Sequence, residues 1–353
     1  MKNNKKIKSG KVNLNGTVLV TGGSGYIGSH TIIEMLENTS FDVVSIDNQS
    51  NSSVKTYKRI ERITGKKVVN YSIDLCDKEK TEKVFKKHKF VGIIHFAAFK
   101  LVGESVEQPL KYYRNNILSL INVLELAGKY GVPNFIFSSS CSVYGNVAKL
   151  PVNENTPIGV AESPYARTKQ IGEKIISDFC AVNKNINAIA LRYFNPVGAH
   201  LSGLNGEDPI NKPNNLVPII TATAVGKLPK LTIHGNDYPT RDGTCIRDYI
   251  HVSDIGDAHI LALEFLLNKK NKQNYCVYNL GSGNGVSVLE IIKAFEKVAG
   301  MKLNYGFGER RAGDVVSIYS DSAKALKDFG WKPKLSIEEM MTSAWKWERL
   351  RDR

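Results

Sequence analysis

The chain contains no long apolar run. Nothing in its 353 residues approaches the roughly 20 consecutive apolar side chains of a membrane-spanning helix, so no membrane partner is expected. Met1 to Lys11 is rich in lysine and asparagine but has no apolar core behind it, which argues against a secretory signal. Cysteine is scarce: Cys76, Cys141, Cys180, Cys245 and Cys276 are odd in number, widely spaced and form no Cys-x-x-Cys pair. That excludes a disulfide framework or a zinc ribbon and points to a reducing, cytoplasmic setting, with Cys180 and Cys276 expected as small buried residues. The seven histidines make no pair at ligand spacing, so no metal is expected. Acidic residues are the minority, 34 against 48 lysines and arginines, for a net charge of +14. Part of that excess lies in the Lys2, Lys5, Lys6, Lys8 and Lys11 tail. Without basic–aromatic interleaving or a nucleic-acid motif, the charge reads as a solvated lysine-rich surface. Its field would suit a doubly phosphorylated small substrate rather than nucleic acid.

What the chain does contain is strand, glycine-rich turn and helix in immediate succession. Thr17-Val18-Leu19-Val20 reads as a buried strand and Ile27 to Glu37 as a helix, with Gly22, Gly25 and Gly28 between and at its start. Gly22 and Gly25 would let backbone approach a pyrophosphate resting on the helix N-terminus, and Gly28 would let helix pack on strand. A second strand, Asp42 to Ile46, ends in Asp47, about 20 residues beyond Gly28, where a carboxylate binds the adenosine ribose hydroxyls. That acid would repel a 2′-phosphate, and Asn48-Gln49 offer no cation, so the expected cofactor is NAD rather than NADP.

Further strands are expected at Val68 to Ile73, Val91 to Phe96, Asn134 to Ser138 and Ala188 to Tyr193, alternating with helices that include Leu110 to Tyr130. This is the pattern of a doubly wound parallel sheet, a Rossmann-type α/β fold. Tyr165 and Lys169, four residues apart in Ser163-Pro164-Tyr165-Ala166-Arg167-Thr168-Lys169, would share one helix face. A phenol holds its proton to about pH 10. A neighbouring ammonium favours the phenolate, so the pair can serve as an alcohol-deprotonating base, with the Ser140 hydroxyl on the same oxygen.

After Tyr193 the composition turns loop-rich, including the Arg247-Asp248-Tyr249 run. Helices are expected at Leu216 to Gly226 and Asp254 to Leu267 and a strand at Cys276 to Leu280, with capping boxes at Ser287 and Ser336. The expected organisation is a flexible extension (1–14), an NAD-binding domain (15–194, rejoined by 248–285) and a smaller mixed α/β substrate domain (195–247 and 286–353).

The glycine motif, the Ser140 strand end and the Tyr165 to Lys169 motif resemble the extended short-chain dehydrogenase/reductase family. Six further stretches are similar to its nucleotide-sugar 4-epimerases: Asp47-Asn48 with Asn51-Ser52, Lys100-Leu101-Val102-Gly103-Glu104-Ser105, Arg192 to His200, Asn214-Asn215-Leu216, Arg247 to Val252, and Arg311 with Asp314. The resemblance runs from about Thr17 onward. It implies reversible 4-epimerisation of UDP-galactose and UDP-glucose through transient C4 oxidation with tightly held NAD, in a cytosolic homodimer. It implies Tyr165 as base, with Lys169 and Ser140 as its catalytic partners. It places Gly22, Tyr26, Ile27, Asp47, Asn48, Asn51, Ser52, Asp74, Leu75, Phe96, Ala97, Lys100, Asn115 and Tyr193 at NAD. It places Asn195, Asn215, Leu216, Arg247, Arg311 and Asp314 at the UDP-sugar. His234 stands where the family often has an aromatic near the uracil. Ile318 stands at a position that gates the sugar C2 substituent, and its intermediate size implies partial tolerance of the UDP-N-acetyl pair. Two other readings fit the residues less well. A 4,6-dehydratase would want an Asp-Glu pair where this chain has Cys141 and Ser142, and a non-catalytic NAD-binding scaffold would not need Ser, Tyr and Lys together.

Overall fold

The computed structural model describes residues 15–210, 213–311 and 314–351; the expected flexible extension, 1–14, lies outside them. The first half alternates. Strand β1 (Asn15–Thr21) leads to helix α1 (Tyr26–Asn38), β2 (Ser40–Ile46) to α2 (Lys55–Thr64), and β3 (Val69–Tyr71) to α3 (Lys78–Lys87). β4 (Phe90–His95) precedes the short α4 (Val102–Glu107) and long α5 (Pro109–Lys129), and β5 (Asn134–Ser140) precedes α6 (Pro164–Val182) and β6 (Asn187–Tyr193). Then come β7 (Asn195–Val197), α7 (Leu216–Ala224), β8 (Leu231–His234), β9 (Ile246–His251) and α8 (Val252–Leu267). The chain ends through β10 (Tyr275–Leu280), β11 (Gly285–Ser287), α9 (Val288–Ala299), β12 (Tyr305–Gly308), α10 (Ala323–Phe329) and α11 (Ile337–Leu350).

Seven strands form one sheet in the order β10-β6-β5-β4-β1-β2-β3, and every pairing in it is parallel. Such a sheet is covered on both faces, and β1 shows how one strand feeds both. Val18 and Val20 enter the core beneath α1 and α8, while Leu19 enters the opposite core with Leu120, Val123, Phe137 and Ile176 of α5, β5 and α6. The chain leaves β1 toward β2 and β3, then returns past β1 to build β4, β5 and β6. The reversal lies between β1 and β4, the point at which such sheets bind ligands.

Beyond the sheet, β11-β9-β7 and the parallel pair β12-β8 form two small sheets, packed with α7, α9 and α11 around Val217, Ile220, Ile233, Ile292, Phe295 and Met341. Both expected capping boxes are present: Ser287 with Glu290 starts α9, and Ser336 with Glu339 starts α11. Each such cap contributes about 1 kcal/mol.

Several expectations need correction. The Arg247-Asp248-Tyr249 stretch is not loop but strand β9, flanked by β7 and β11. The third strand is shorter than Val68 to Ile73, as suits an exposed edge. Cys180 is buried, whereas Cys276 is half-exposed. No helix among the described residues is long and apolar enough to cross a membrane.

Candidate active site

A cavity of about 540 Å³ opens along the carboxyl ends of the strands, within the size range of small-molecule sites. The glycine loop forms its floor. Gly22 adopts φ +72°, and a Cβ there would lie 2.8 Å from Ala97 N, because the loops after β1 and β4 touch at the switch point. A Cβ on Gly28 would lie 2.3 Å from Gly22 O. The N-cap, Gly25, adds no side-chain cap, so the first turn of α1 keeps the anion-binding character of a helix N-terminus.

Asp47, at the end of β2, organises the rim of this loop. Its carboxylate accepts from Ser24 N at 3.0 Å, Gln49 N at 2.8 Å and Ser52 Oγ at 3.2 Å. Asp74 similarly accepts from Cys76 N at 2.8 Å and from Asn48 Nδ2. All the residues expected at NAD line the one cavity: Gly22, Gly25, Tyr26, Ile27, Gly28, Asp47, Asn48, Asn51, Ser52, Asp74, Leu75, Phe96, Ala97, Lys100, Asn115, Tyr165, Lys169 and Tyr193. The Tyr26 hydroxyl is already engaged, donating to Gly198 O at 2.6 Å.

Ser140, Tyr165 and Lys169 meet on the same wall. Ser163 caps α6 by accepting from Ala166 N at 3.2 Å, with Pro164 pre-set for the first turn. The two together start the helix immediately before Tyr165. Lys169 is buried, and its ammonium donates to Ser138 O at 2.6 Å while lying 5.8 Å from the Tyr165 ring centroid. Ser140 Oγ accepts from Ser142 N at 3.2 Å and lies near enough to the Tyr165 phenol to favour its ionised form. The expected lowering of Tyr165 by Lys169 is not what the protein environment produces. Burial pushes Tyr165 up to about 12, opposed by the neighbouring Ser140 hydroxyl, and burial pulls Lys169 down to about 7, opposed by the Glu173 carboxylate.

On the substrate side, Ser140, Asn195 and Asn215 line the cavity, whereas Leu216, His234, Arg247, Arg311 and Asp314 do not. The buried Asn195 Oδ1 has no hydrogen-bond partner among the described residues. Arg311 and Arg247 converge on Asp314, at 2.8 and 3.4 Å, and Arg247 is close enough to perturb Cys141, the neighbour of Ser140. His234 is exposed, with Nδ1 3.2 Å from Glu309 O. Leu216 packs under the small sheets. Ile318 is buried against Val143, Tyr144, Val152 and Phe194.

Two further residues stand on the wall, Ser24 and Glu207. Ser24 bridges Asp47 and Ser52, bonding the latter's hydroxyl at 2.7 Å; its place inside the glycine motif was an available signal. Glu207 bonds Lys100 at 3.0 Å and Asn215 at 2.6 Å, and no local pattern marks it.

Comparisons with known proteins agree with this geometry. The family model for GDP-mannose 4,6 dehydratase matches residues 19–344. UDP-glucose 4-epimerase of Bacillus subtilis is 48% identical over 94% of this chain and 96% of its own length. The Drosophila melanogaster protein of the same name is 47% identical over 94% and 96%. The crystal structure of UDP-glucose 4-epimerase from Bifidobacterium longum, in complex with NAD+ and UDP, superposes with a TM-score of 0.91 at 45% identity, covering 94% of this chain and 98% of that one. With that identity spread over nearly its full length, the chain belongs to the UDP-glucose 4-epimerase family of the extended short-chain dehydrogenase/reductases.

Proposed function

We propose that the protein interconverts UDP-galactose and UDP-glucose by inverting C4 of the hexose, with NAD as resident cofactor. The observation that carries this reading is that Ser140, Tyr165 and Lys169 stand in the wall of the same cavity as the glycine loop and Asp47. The residues fit NAD: the glycines leave backbone where side chains would collide, and the Asp47 carboxylate suits a ribose diol and disfavours a 2′-phosphate. When bound, NAD supplies a hydride acceptor at the sugar C4 and a positive ring that favours the Tyr165 phenolate.

The chain's own residues do the rest. Tyr165 Oη takes the 4-hydroxyl proton, holds it while C4 is a ketone, and returns it after the sugar has turned over. Ser140 Oγ bonds the same sugar oxygen, stabilising its charge as the proton moves. Lys169, fixed by the Ser138 carbonyl, is held beside the ring to orient it. The resemblance assigns the diphosphate to Arg247 and Arg311, which stand outside the cavity lining and converge on Asp314, while Asn195 Oδ1, without a partner among the described residues, offers an acceptor to the sugar-nucleotide.

Dehydration fits poorly despite the name of the matching family model. Cys141 is a thiol that burial pushes up to about 12, and Ser142 is a hydroxyl, so neither provides the acid and base of elimination. The Bacillus subtilis and Drosophila melanogaster relatives carry the UDP-glucose name, which favours the unacetylated sugars over the UDP-N-acetyl pair. The same reading includes two lobes, 15–194 with 248–285 and 195–247 with 286–353, a cytoplasmic location, and a homodimer through α5 and α6. Supporting the last, Leu110 and Leu118 of α5 are exposed apolar residues.

The test is to incubate purified protein with UDP-galactose, adding no NAD, and to assay UDP-glucose. Product formation is expected, from NAD that co-purifies and recycles. No product, even with NAD added, would overturn the assigned reaction.

A further inference from the structure

Glu207 has no place in the chemistry above, yet its carboxylate joins two sides of the cavity. It bonds Lys100, in the loop after β4, at 3.0 Å, and Asn215, at the start of α7, at 2.6 Å. The first belongs to the proposed cofactor side and the second to the substrate side. The Glu207 side chain is only 11% exposed.

The segment carrying it is anchored from behind. Trp347 Nε1 of α11 donates to Glu207 O at 3.2 Å. Asp208 pairs with Arg59 at 2.7 Å, and Arg59 lies 4.8 Å over the Trp347 ring. Asn205 Nδ2 donates to Ser29 Oγ of α1 at 3.0 Å. The backbone is thus fixed on its outer face, and the carboxylate spans the cavity rim between Lys100 and Asn215. An unpaired carboxylate there would repel the diphosphates this site is read as binding. Tied to Lys100 it is neutralised, and it holds that lysine 5.8 Å over the Tyr26 ring, beside the glycine loop.

We propose that Glu207 is a latch across the cavity mouth, a positioning residue that ties Lys100 to Asn215 and so slows exchange of the bound dinucleotide. The proposal rests on the NAD-dependent reading given above. Cutting the latch frees the loop after β4 from the segment before α7, opening the path by which the cofactor leaves. The chemical step, made by Ser140, Tyr165 and Lys169, is untouched.

The experiment compares the full-length parent with Glu207→Ala, Glu207→Asp and Asp208→Ala. Each is passed through gel filtration, bound NAD is quantified after denaturation, and exchange is timed against isotopically labelled NAD. Glu207→Ala should exchange about tenfold faster, equal to about 1.4 kcal/mol, with kcat in saturating NAD within about twofold of the parent. Glu207→Asp, which keeps the charge, should restore part of the retention. Asp208→Ala loosens the same segment from behind and should lower the unfolding midpoint while speeding exchange less than Glu207→Ala does. Combining Lys100→Met with Glu207→Ala should speed exchange no more than the larger single effect. Parental exchange in Glu207→Ala, or equal acceleration by Asp208→Ala, would overturn the latch alone. A parent that neither retains nor binds NAD would overturn the cofactor reading and the latch together.

Discussion

Replacing Glu173 by Met tests what holds the catalytic wall in place. Glu173 lies one turn beyond Lys169 on α6, and its carboxylate accepts from Arg192 Nε at 2.8 Å, Arg192 Nη2 at 2.5 Å and Ser139 Oγ at 2.5 Å. The strand register sets Ser139 opposite Arg192 and Ser140 opposite Tyr193, so this pair sits one residue below the proposed catalytic serine. The Arg192 and Glu173 side chains are 5% and 6% exposed. Glu173→Met would leave a buried guanidinium with no counter-charge, a loss of about 3–5 kcal/mol against a typical total of about 5–15 kcal/mol. Urea unfolding should show a lower midpoint with an unchanged slope. Adding Arg192→Leu removes the orphaned charge. The double variant should recover most of the loss, because two apolar side chains replace a pair whose desolvation consumed much of its attraction. Tyr144, which accepts from Arg192 Nη1, would still donate to Asn279 Oδ1 at 2.7 Å. A single-variant loss below about 1 kcal/mol, or a double variant as unstable as the single, would refute the reasoning.

Three other outcomes follow from the same geometry. Tyr165→Phe removes the proposed proton acceptor and should lower kcat by about 10²–10⁴-fold while NAD stays bound, measured as UDP-glucose formed from UDP-galactose. Gly28→Ala places a methyl 2.3 Å from Gly22 O, so the protein should purify with little NAD, read from its nucleotide content. Lys169 is held near 7 by burial, whereas an unfolded lysine keeps its proton to about 10.4. Between those values the unfolded chain binds more protons, so stability should rise as pH climbs from about 7 to 10. Lys169→Met should remove that slope in thermal melts and match or exceed the parent's stability at neutral pH, while losing about a hundredfold or more in activity.

The parts legible in the sequence were those whose meaning is local. Thr17 to Gly28 carries strand, turn and helix start within a dozen positions, and Asp47 could be placed because it ends the next strand. Helices α2 and α3 were not legible. They bury only Thr56, Tyr57, Ile60 and Thr81, Val84, Phe85 among many lysines, too few apolar positions to set a period. Strand β9 was hidden by charge within it. Asp248 is fully buried, but its partners are Ser282, Gly283 and Ser320, far along the chain. Glu207 is the extreme case, since its sequence distance to Lys100 is 107 residues and only the fold gives the carboxylate a meaning.

Tyr165 and Lys169 show where spacing alone misleads. The i, i+4 relation was right about place, since both reach the cavity, but charge proximity did not set the proton affinity. Desolvation raises the tyrosine to about 12 and lowers the lysine to about 7, each opposite to what a functional phenolate–ammonium pair needs. Desolvation therefore leaves the proposed base protonated at neutral pH on protein groups alone. A cationic ring beside the phenol would favour its ionised form, because a charge close by in the protein acts more strongly than in bulk solvent. On this account the enzyme's base is switched on by its cofactor. Protein stripped of NAD should then show a tyrosinate absorbance titrating near 12, and protein reconstituted with NAD should show it titrating several units lower. An unchanged titration would mean that another group takes the hydroxyl proton.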